Sequence, residues 1–245
     1  MKTVLINGSG PVGRTLSGIL QSNGHCAISA GLAPGANALA GVSVVVDLGI
    51  PPWFADDEAA AFLEQTTGRL LSHAAVAGVS HYVVLSVVGA ERVLSSGHMR
   101  ARRQQELMVS HSGLPWSIVR ATQLYECLGA IAEAGACGDD IYLSPVEFQP
   151  MAARDVAGAL AELVMARPLC SVREIAGPKR YSMAKLVQCF LKRSNDPRAV
   201  IPDYEAPYLG ALLDHQSLVP AQPSYLGSTD FETWLAETTS RGEES

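Results

Sequence analysis

Apolar and polar positions follow two rhythms along this chain. Thr3–Ile6 (TVLI), Cys26–Ala30 (CAISA), Val42–Leu48 (VSVVVDL), His81–Ser86 (HYVVLS) and Pro115–Ala121 (PWSIVRA) are short runs rich in apolar residues. The most continuous of them predict strands covered on both faces. Between them the spacing turns helical. Val12, Leu16, Ile19 and Leu20 share a face and predict a helix over Gly13–Leu20, stopped by Asn23 and Gly24. A longer helix is expected over Asp56–Ala77, its acidic start suited to the positive helix end and Gly78 to its exit. A third spans about His98–His111.

The alternation continues downstream, more weakly. CLGAIAEAGACGDD reads as a mobile segment, then come a short strand at IYL, the stretch FQPM, a helix over about Arg154–Met165, the stretch VREIAG and a helix over Met183–Arg193. Pro197–Gly227 has no clean period and its geometry stays open. STDFETWLAETT predicts a closing helix capped by Ser228 or Thr229 and buried through Phe231, Trp234 and Leu235. Strands alternating with helices predict an α/β fold, a Rossmann-like doubly wound, mostly parallel sheet.

Composition narrows the class. A chain of 245 residues, 48% hydrophobic, can bury a sizeable core. A formal charge of −6 without a basic tract argues against nucleic acid. The three arginines of GHMRARRQQE are expected on a solvated helix face. Five cysteines at irregular spacing suggest buried thiols in a reducing cytoplasm rather than a disulfide framework or metal site. His73, His81 and His111 lack metal-ligand spacing and are expected in surface or capping roles. No apolar run reaches membrane-spanning length.

The chemistry begins at Gly8, Gly10 and Gly13, a G-x-G-x-x-G directly after a strand and at a helix opening. That spacing provides a tight turn, close backbone approach to a pyrophosphate and close helix packing, with free amides facing the anion. No carboxylate follows CAISA to hold an adenosine ribose, and Arg14 is the nearby cation. The cofactor expectation therefore leans to NADP(H) over NAD(H), and a site that binds neither stays open. Asp47 is expected to cap or turn. If VSVVVDL crosses to the far side of the first strand, Gly31–Gly41 can make the journey extended, at ~36 Å for eleven residues. The adenine wall would then be thin and dinucleotide affinity weakened.

VLINGSGPVG, HYVVLSVVGAERVLSSGHMRARRQQEL, GLPWSIVRATQLYE, VEFQPMAARDVAGAL and EIAGP together resemble the atypical short-chain dehydrogenase/reductase superfamily, in its NmrA-like, NAD(P)H-binding branch. The resemblance covers nearly the whole chain. It implies that Gly8, Ser9, Gly10, Pro11, Val12, Gly13 and Arg14 surround the pyrophosphate and that Leu48 and Gly49 pass near the cofactor. It implies further that Ser86 takes the usual serine position and that Ala121, Thr122 and Gln123 lie by the nicotinamide, with no metal. One Rossmann-like domain over 1–245 is expected, with a small substrate-covering lobe from about 124–147 and 177–227.

Two departures bear on activity. Asn7 stands where the family usually has glycine, and the Tyr-x-x-x-Lys pair reads His98 and Arg102. The four-residue spacing keeps both on one helix face. Histidine can be an acid or a base, while arginine can hold ribose hydroxyls but relays protons poorly. A neighbouring Arg102 would disfavour imidazolium and push His98 toward a general base. Three functions stay open: an oxidoreductase acting on a small apolar or aromatic carbonyl through Ser86, His98 and Arg102; a cofactor-independent isomerase, lyase or cyclase with His98 as base; and a catalytically silent NAD(P)-binding sensor or scaffold. Tyr125 and Cys127 are candidates for lining the substrate or packing the lobe, Trp53 for walling a pocket, and Asp155 for a structural helix-start role. The expected partner is a small molecule, with neither nucleic acid nor membrane, and a homodimer stays open.

Overall fold

The computed structural model describes residues 1–31, 34–49 and 56–242. Trp53 lies outside them. From the N-terminus run β1 (Thr3–Asn7), α1 (Pro11–Ser22), β2 (Cys26–Ala30), β3 (Val44–Asp47), α2 (Asp56–Val76), β4 (His81–Val87), α3 (Gly97–Ser110) and β5 (Trp116–Ala121). Then follow α4 (Leu128–Ala134), β6 (Ala136–Cys137), β7 (Asp140–Leu143), β8 (Glu147–Phe148), α5 (Ala153–Met165) and β9 (Val172–Ala176). The chain closes with β10 (Tyr181–Ser182), α6 (Met183–Arg193), β11 (Ala199–Pro202), β12 (Tyr225–Leu226) and α7 (Phe231–Gly242).

Among the described residues a seven-stranded sheet has the order β12-β9-β5-β4-β3-β1-β2, with every pairing parallel. This is the Rossmann-like α/β fold expected. On one face Val12, Leu16 and Leu20 of α1 and Val156, Leu160 and Val164 of α5 cover Val4, Ile6, Val46 and Val83. On the other, Leu70 and Ala74 of α2 and Val109 of α3 cover Leu5, Val45, Tyr82 and Val84. Leu5 and Ile6 are both fully buried, so successive residues of β1 serve opposite cores. Burying one such side chain contributes about 1.5–3 kcal/mol. A shared hydrophobic run thus stabilises both layers at once.

β1 is flanked by β2 on one side and β3 on the other. The β2-to-β3 connection does cross the first strand, and its regular structure is a 3₁₀ turn at Ala36–Leu39 whose Leu39 is buried against β1 and α2. Between α1's face and this crossover the winding direction reverses. The carboxyl ends of β1 and β3 meet at that reversal, the place where doubly wound sheets receive ligands.

Several local expectations are corrected. The segment read as mobile holds α4, because Leu128, Ile131 and Ala132 fall at helical spacing and are buried. Those residues join Ile141, Phe148, Leu186, Val187, Phe231 and Trp234 in a separate apolar core. Beside it β6, β7 and β11 form a three-stranded sheet. The closing helix is capped by Asp230, whose carboxylate accepts the Thr233 amide at 3.0 Å, not by Ser228 or Thr229. Thr229 instead donates to Asp155 at 3.0 Å, tying α7's approach to the first turn of α5. All five cysteines are free, yet Cys26, Cys137 and Cys170 are exposed where buried thiols are expected. They stand on an outer strand, a two-residue strand and a turn, where no second layer covers them. His81, expected at the surface, is buried because it opens the central strand β4. Among the described residues no helix is long and apolar enough to cross a membrane, and no cluster of metal-ligating side chains occurs.

Candidate active site

The glycine turn lies at the reversal in winding. Gly8 leaves β1 with φ +133°, a conformation that side-chain-bearing residues rarely adopt, and its amide donates to Ala30 of β2. A methyl group at Gly13 would stand 2.3 Å from the Gly8 carbonyl oxygen, so only glycine lets α1 pack this closely on the turn. Leu48 closes the other side, its Cβ 3.0 Å from where a Gly8 methyl would sit. Gly10 differs from both. Among the described residues, nothing beyond its chain neighbours lies within 4 Å of its absent Cβ. It heads α1 without a side-chain cap, and Pro11 occupies the first helical turn. The first amides of α1 therefore face open space beside Ser9, Gly10 and Pro11, which are exposed. Val12 turns inward to the core, and the exposed Arg14 folds back to donate to the Ser9 carbonyl at 2.7 Å. This geometry fits an anionic diphosphate: uncapped donors, a positive helix end and no methyl group in the way.

Asp47, at the end of β3, ties this turn to the rest of the site. Its Oδ1 accepts from Asn7 at 2.8 Å and from the Gly49 amide at 3.0 Å. Its Oδ2 accepts from Tyr82 at 2.9 Å and Gln105 at 3.3 Å. Burial, followed by the Asp47 charge and the bond to it, holds the Tyr82 phenol well above its ordinary range. Asn7, in place of the usual glycine, is thus a donor to a buried carboxylate that also caps the β3 exit.

At the β4–α3 edge the polar groups are turned toward one another. Tyr82, Val84 and Ser86 share the face that packs on α2 and α3. Ser86 therefore meets Glu106 of α3 and donates to it at 2.7 Å. Glu106 also receives Arg120 through two bonds of 2.8 and 2.7 Å, and Arg103 at 2.9 Å. Arg120 reaches on to Glu91 at 2.6 Å and Glu174 at 3.7 Å. Burial pushes the Glu106 carboxyl up, but the donors from Arg120, Ser86 and Arg103 outweigh it and hold the group below its ordinary value. The solvated face expected for GHMRARRQQE is only partly so. Arg102 is buried, with Nη1 donating to the carbonyls of Gly49 at 2.7 Å and Leu85 at 3.4 Å and to Gln105 at 3.0 Å. Burial lowers its pKa to about 10, against the opposing pull of Asp47 and Glu106.

His98 stands half-buried in the first turn of α3, behind the cap in which Ser96 accepts the Met99 amide. The helical spacing from His98 to Arg102 is kept, while Arg102 is drawn beneath the β3 and β4 ends. Ala121 closes β5, its carbonyl accepting the Val88 amide at 2.9 Å. The Thr122 amide donates to Ile175, and its buried hydroxyl has no partner among the described residues. Gln123 accepts the Met151 amide through its carbonyl. Tyr125 packs within the smaller core, with ring centroids 5.9 Å from Phe231 and 5.4 Å from Trp234.

The sequence pattern passes over Glu106 and Arg120, although a signal exists. An arginine inside the apolar run WSIVRA must be paired once that run becomes a central strand. Nothing local indicates that its partner lies on α3 or that Ser86 joins it.

No family model matches the sequence, and no curated protein matches it. Solved structures do. A short-chain dehydrogenase/reductase superfamily protein from Agrobacterium tumefaciens with bound NAD superposes with TM-score 0.71 at 15% identity, over 99% of this chain and 98% of that one. TunA, an NAD-dependent NDP-hexosamine 5,6-dehydratase of tunicamycin biosynthesis, gives TM-score 0.73 at 15% identity over 100% and 99%. The UDP-glucose 4-epimerase of Thermotoga maritima with UDP-glucose gives 0.72 at 14% over 99% of each chain. The fold is thus shared from end to end with short-chain dehydrogenase/reductase structures.

Proposed function

We propose that this chain binds a nicotinamide dinucleotide at the crevice between β1 and β3 and holds a small apolar carbonyl compound beside it. The observation that carries this reading is the contrast within the glycine turn. Gly13 is required by the protein's own packing, whereas Gly10 borders space that no described residue beyond its chain neighbours fills. Packing alone accounts for the first glycine and not for the second. The solved structures of this fold that hold NAD support the same ligand class.

Each chain segment has a part in this arrangement. The α1 amides and Gly10 receive the diphosphate, Leu48 and Gly49 border its β3 side, and Ala121–Gln123 border the nicotinamide. A bound nicotinamide supplies hydride-transfer chemistry. NADP(H) is favoured over NAD(H) because the end of β2 offers no carboxylate to repel a 2′-phosphate and Arg14 is exposed beside the turn. The short β2-to-β3 connection leaves the adenine side thinly covered, so affinity is modest. Calorimetric titration with NAD, NADP and their reduced forms tests the reading. Micromolar binding with NADP ahead is expected, and heat-silent titrations with all four would end it.

The geometry favours binding over fast turnover. Ser86 donates to Glu106 and Arg102 to backbone carbonyls, so two of the three residues expected to act on substrate or cofactor are already bonded within the protein. The second reading, slow carbonyl reduction with His98 as the proton source, is favoured by that residue's half-buried place in the first turn of α3. It requires NADPH oxidation by a carbonyl panel that is lost in His98→Ala.

A further inference from the structure

The segment between β11 and β12 brings a phenol to the end of β5. Tyr208 is 6% exposed; its buried oxygen lies beside the Gln123 side-chain amide, and its hydroxyl proton has no acceptor among the described residues. The Gln123 side chain and the Cys127 thiol are its neighbours. On the other side of Gln123 in sequence, Thr122 carries a second buried hydroxyl without a partner among the described residues. Buried polar atoms are nearly always bonded, and leaving one unmet is costly. The Tyr208 hydroxyl proton, next to the Gln123 amide, marks a place where an accepting group is missing.

The turn that holds Tyr208 is itself costly. Tyr208 and Ala211 exchange backbone hydrogen bonds of 2.8 and 3.1 Å around Leu209 and Gly210, whose φ angles are 49° and 78°. A leucine in the left-handed region is uncommon, and such strain persists where surrounding contacts impose it. Here it fixes the direction of the preceding phenol. Cys127 lies beside the phenol, and Cys127 and Leu209 pack as partly buried side chains against the same smaller core as Tyr208. Among the described residues the ionisable neighbour acting on the phenol is the Cys127 thiol, not a carboxylate or a cation. An apolar wall with neutral donors selects an uncharged oxygen-bearing group.

We propose that Tyr208, with Gln123 beside it, is the polar end of the substrate pocket and donates a hydrogen bond to the carbonyl oxygen of a neutral, apolar compound. This rests on the dinucleotide reading for its location beside the nicotinamide. Burial holds the phenol above its ordinary range, so Tyr208 acts as a protonated donor. Because the hydroxyl is sealed, entry requires the Tyr208–Ala211 turn to yield. That turn lies beside Leu212, whose side chain is exposed.

The test uses the full chain and two pairs of probes, menadione with methylnaphthalene and phenanthrenequinone with phenanthrene. Each is titrated with and without NADP into the wild type, Tyr208→Phe and Gln123→Leu. The quinones are expected to bind the wild type more tightly than their hydrocarbons. Tyr208→Phe should weaken the quinones about tenfold, the loss of one hydrogen bond, and leave the hydrocarbons unchanged. Gln123→Leu should weaken the same two ligands. Thermal unfolding adds a second readout: removing an unmet hydroxyl should hold or raise Tm. Equal quinone affinity in the wild type and Tyr208→Phe, or no quinone binding by the wild type, would overturn the proposal. So would a lower Tm with unchanged quinone affinity, since the hydroxyl would then be structural. A Tyr208-dependent quinone preference in a protein that binds no dinucleotide would keep this inference and remove the dinucleotide reading.

Discussion

The glycine turn and the β4–α3 edge lie at the same end of one sheet and treat their polar groups in opposite ways. At the turn, the first amides of α1 lack a side-chain cap and the space beside Gly10 is open among the described residues. At the edge, Ser86, Glu106, Arg120, Arg103 and Arg102 satisfy one another or nearby carbonyls. Open donors cost stability unless a ligand or water meets them, whereas a closed ion network serves the folded chain itself. On the proposed reading, the difference separates a surface left for a ligand from one whose polar groups bond within the fold.

The largest expected effect breaks the closed side. Glu106→Ala leaves buried Arg120 without two of its bonds, and a loss of about 3 kcal/mol in urea unfolding is expected, with Glu91 and Glu174 limiting the damage. If Ser86 and Glu106 were instead a mobile catalytic pair, the loss would be below about 1 kcal/mol. The Glu106 carboxyl titrates below the ordinary value of 4.5, so its contribution is fully present above that pH and is lost as pH falls toward the lowered folded value. Glu106→Gln should flatten that part of the acid limb.

Gly13→Ala comes next. Its methyl would meet the Gly8 carbonyl oxygen at 2.3 Å, which should cost about 1–3 kcal/mol and abolish dinucleotide binding together. Gly10→Ala sharpens the contrast, because stability should move by less than about 0.5 kcal/mol while dinucleotide affinity falls about tenfold. Equal affinity in the wild type and Gly10→Ala would show that the open space serves no ligand.

A pH-dependent stability effect, separate from both regions, lies at the other end of β4. Buried His81 bonds Ser117 through Nε2 at 2.8 Å, and its Nδ1 has no partner. Burial, with Lys2 adding to it, lowers its pKa from 6.5 to about 4. The unfolded chain therefore binds the proton first, and stability present above pH 6.5 declines as pH falls toward about 4, by about 1–2 kcal/mol. Thermal unfolding from pH 7 to 4 should show this decline in the wild type and a weaker one in His81→Gln.

Periodicity determined most of the architecture because each element carries its own signal. VVVD must be covered on both faces, α1 needs Val12, Leu16 and Leu20 on one face, and Gly8, Gly10 and Gly13 need a strand before them and a helix after. Those are constraints between near neighbours, and the sequence by itself determined them. Weak signals were lost where small residues diluted the period, as in LGAIAEA, which folds as α4 because the smaller core supplies its burial. What only the tertiary structure decided is which charges meet. Ser86 and Glu106 are 20 residues apart, Arg102 and Gly49 are 53 apart, and Tyr208 reaches Gln123 from another part of the chain. Side-chain type states what a group can donate or accept. Whether it faces a partner or an open crevice depends on sheet order and helix placement, which bring distant segments within hydrogen-bond reach.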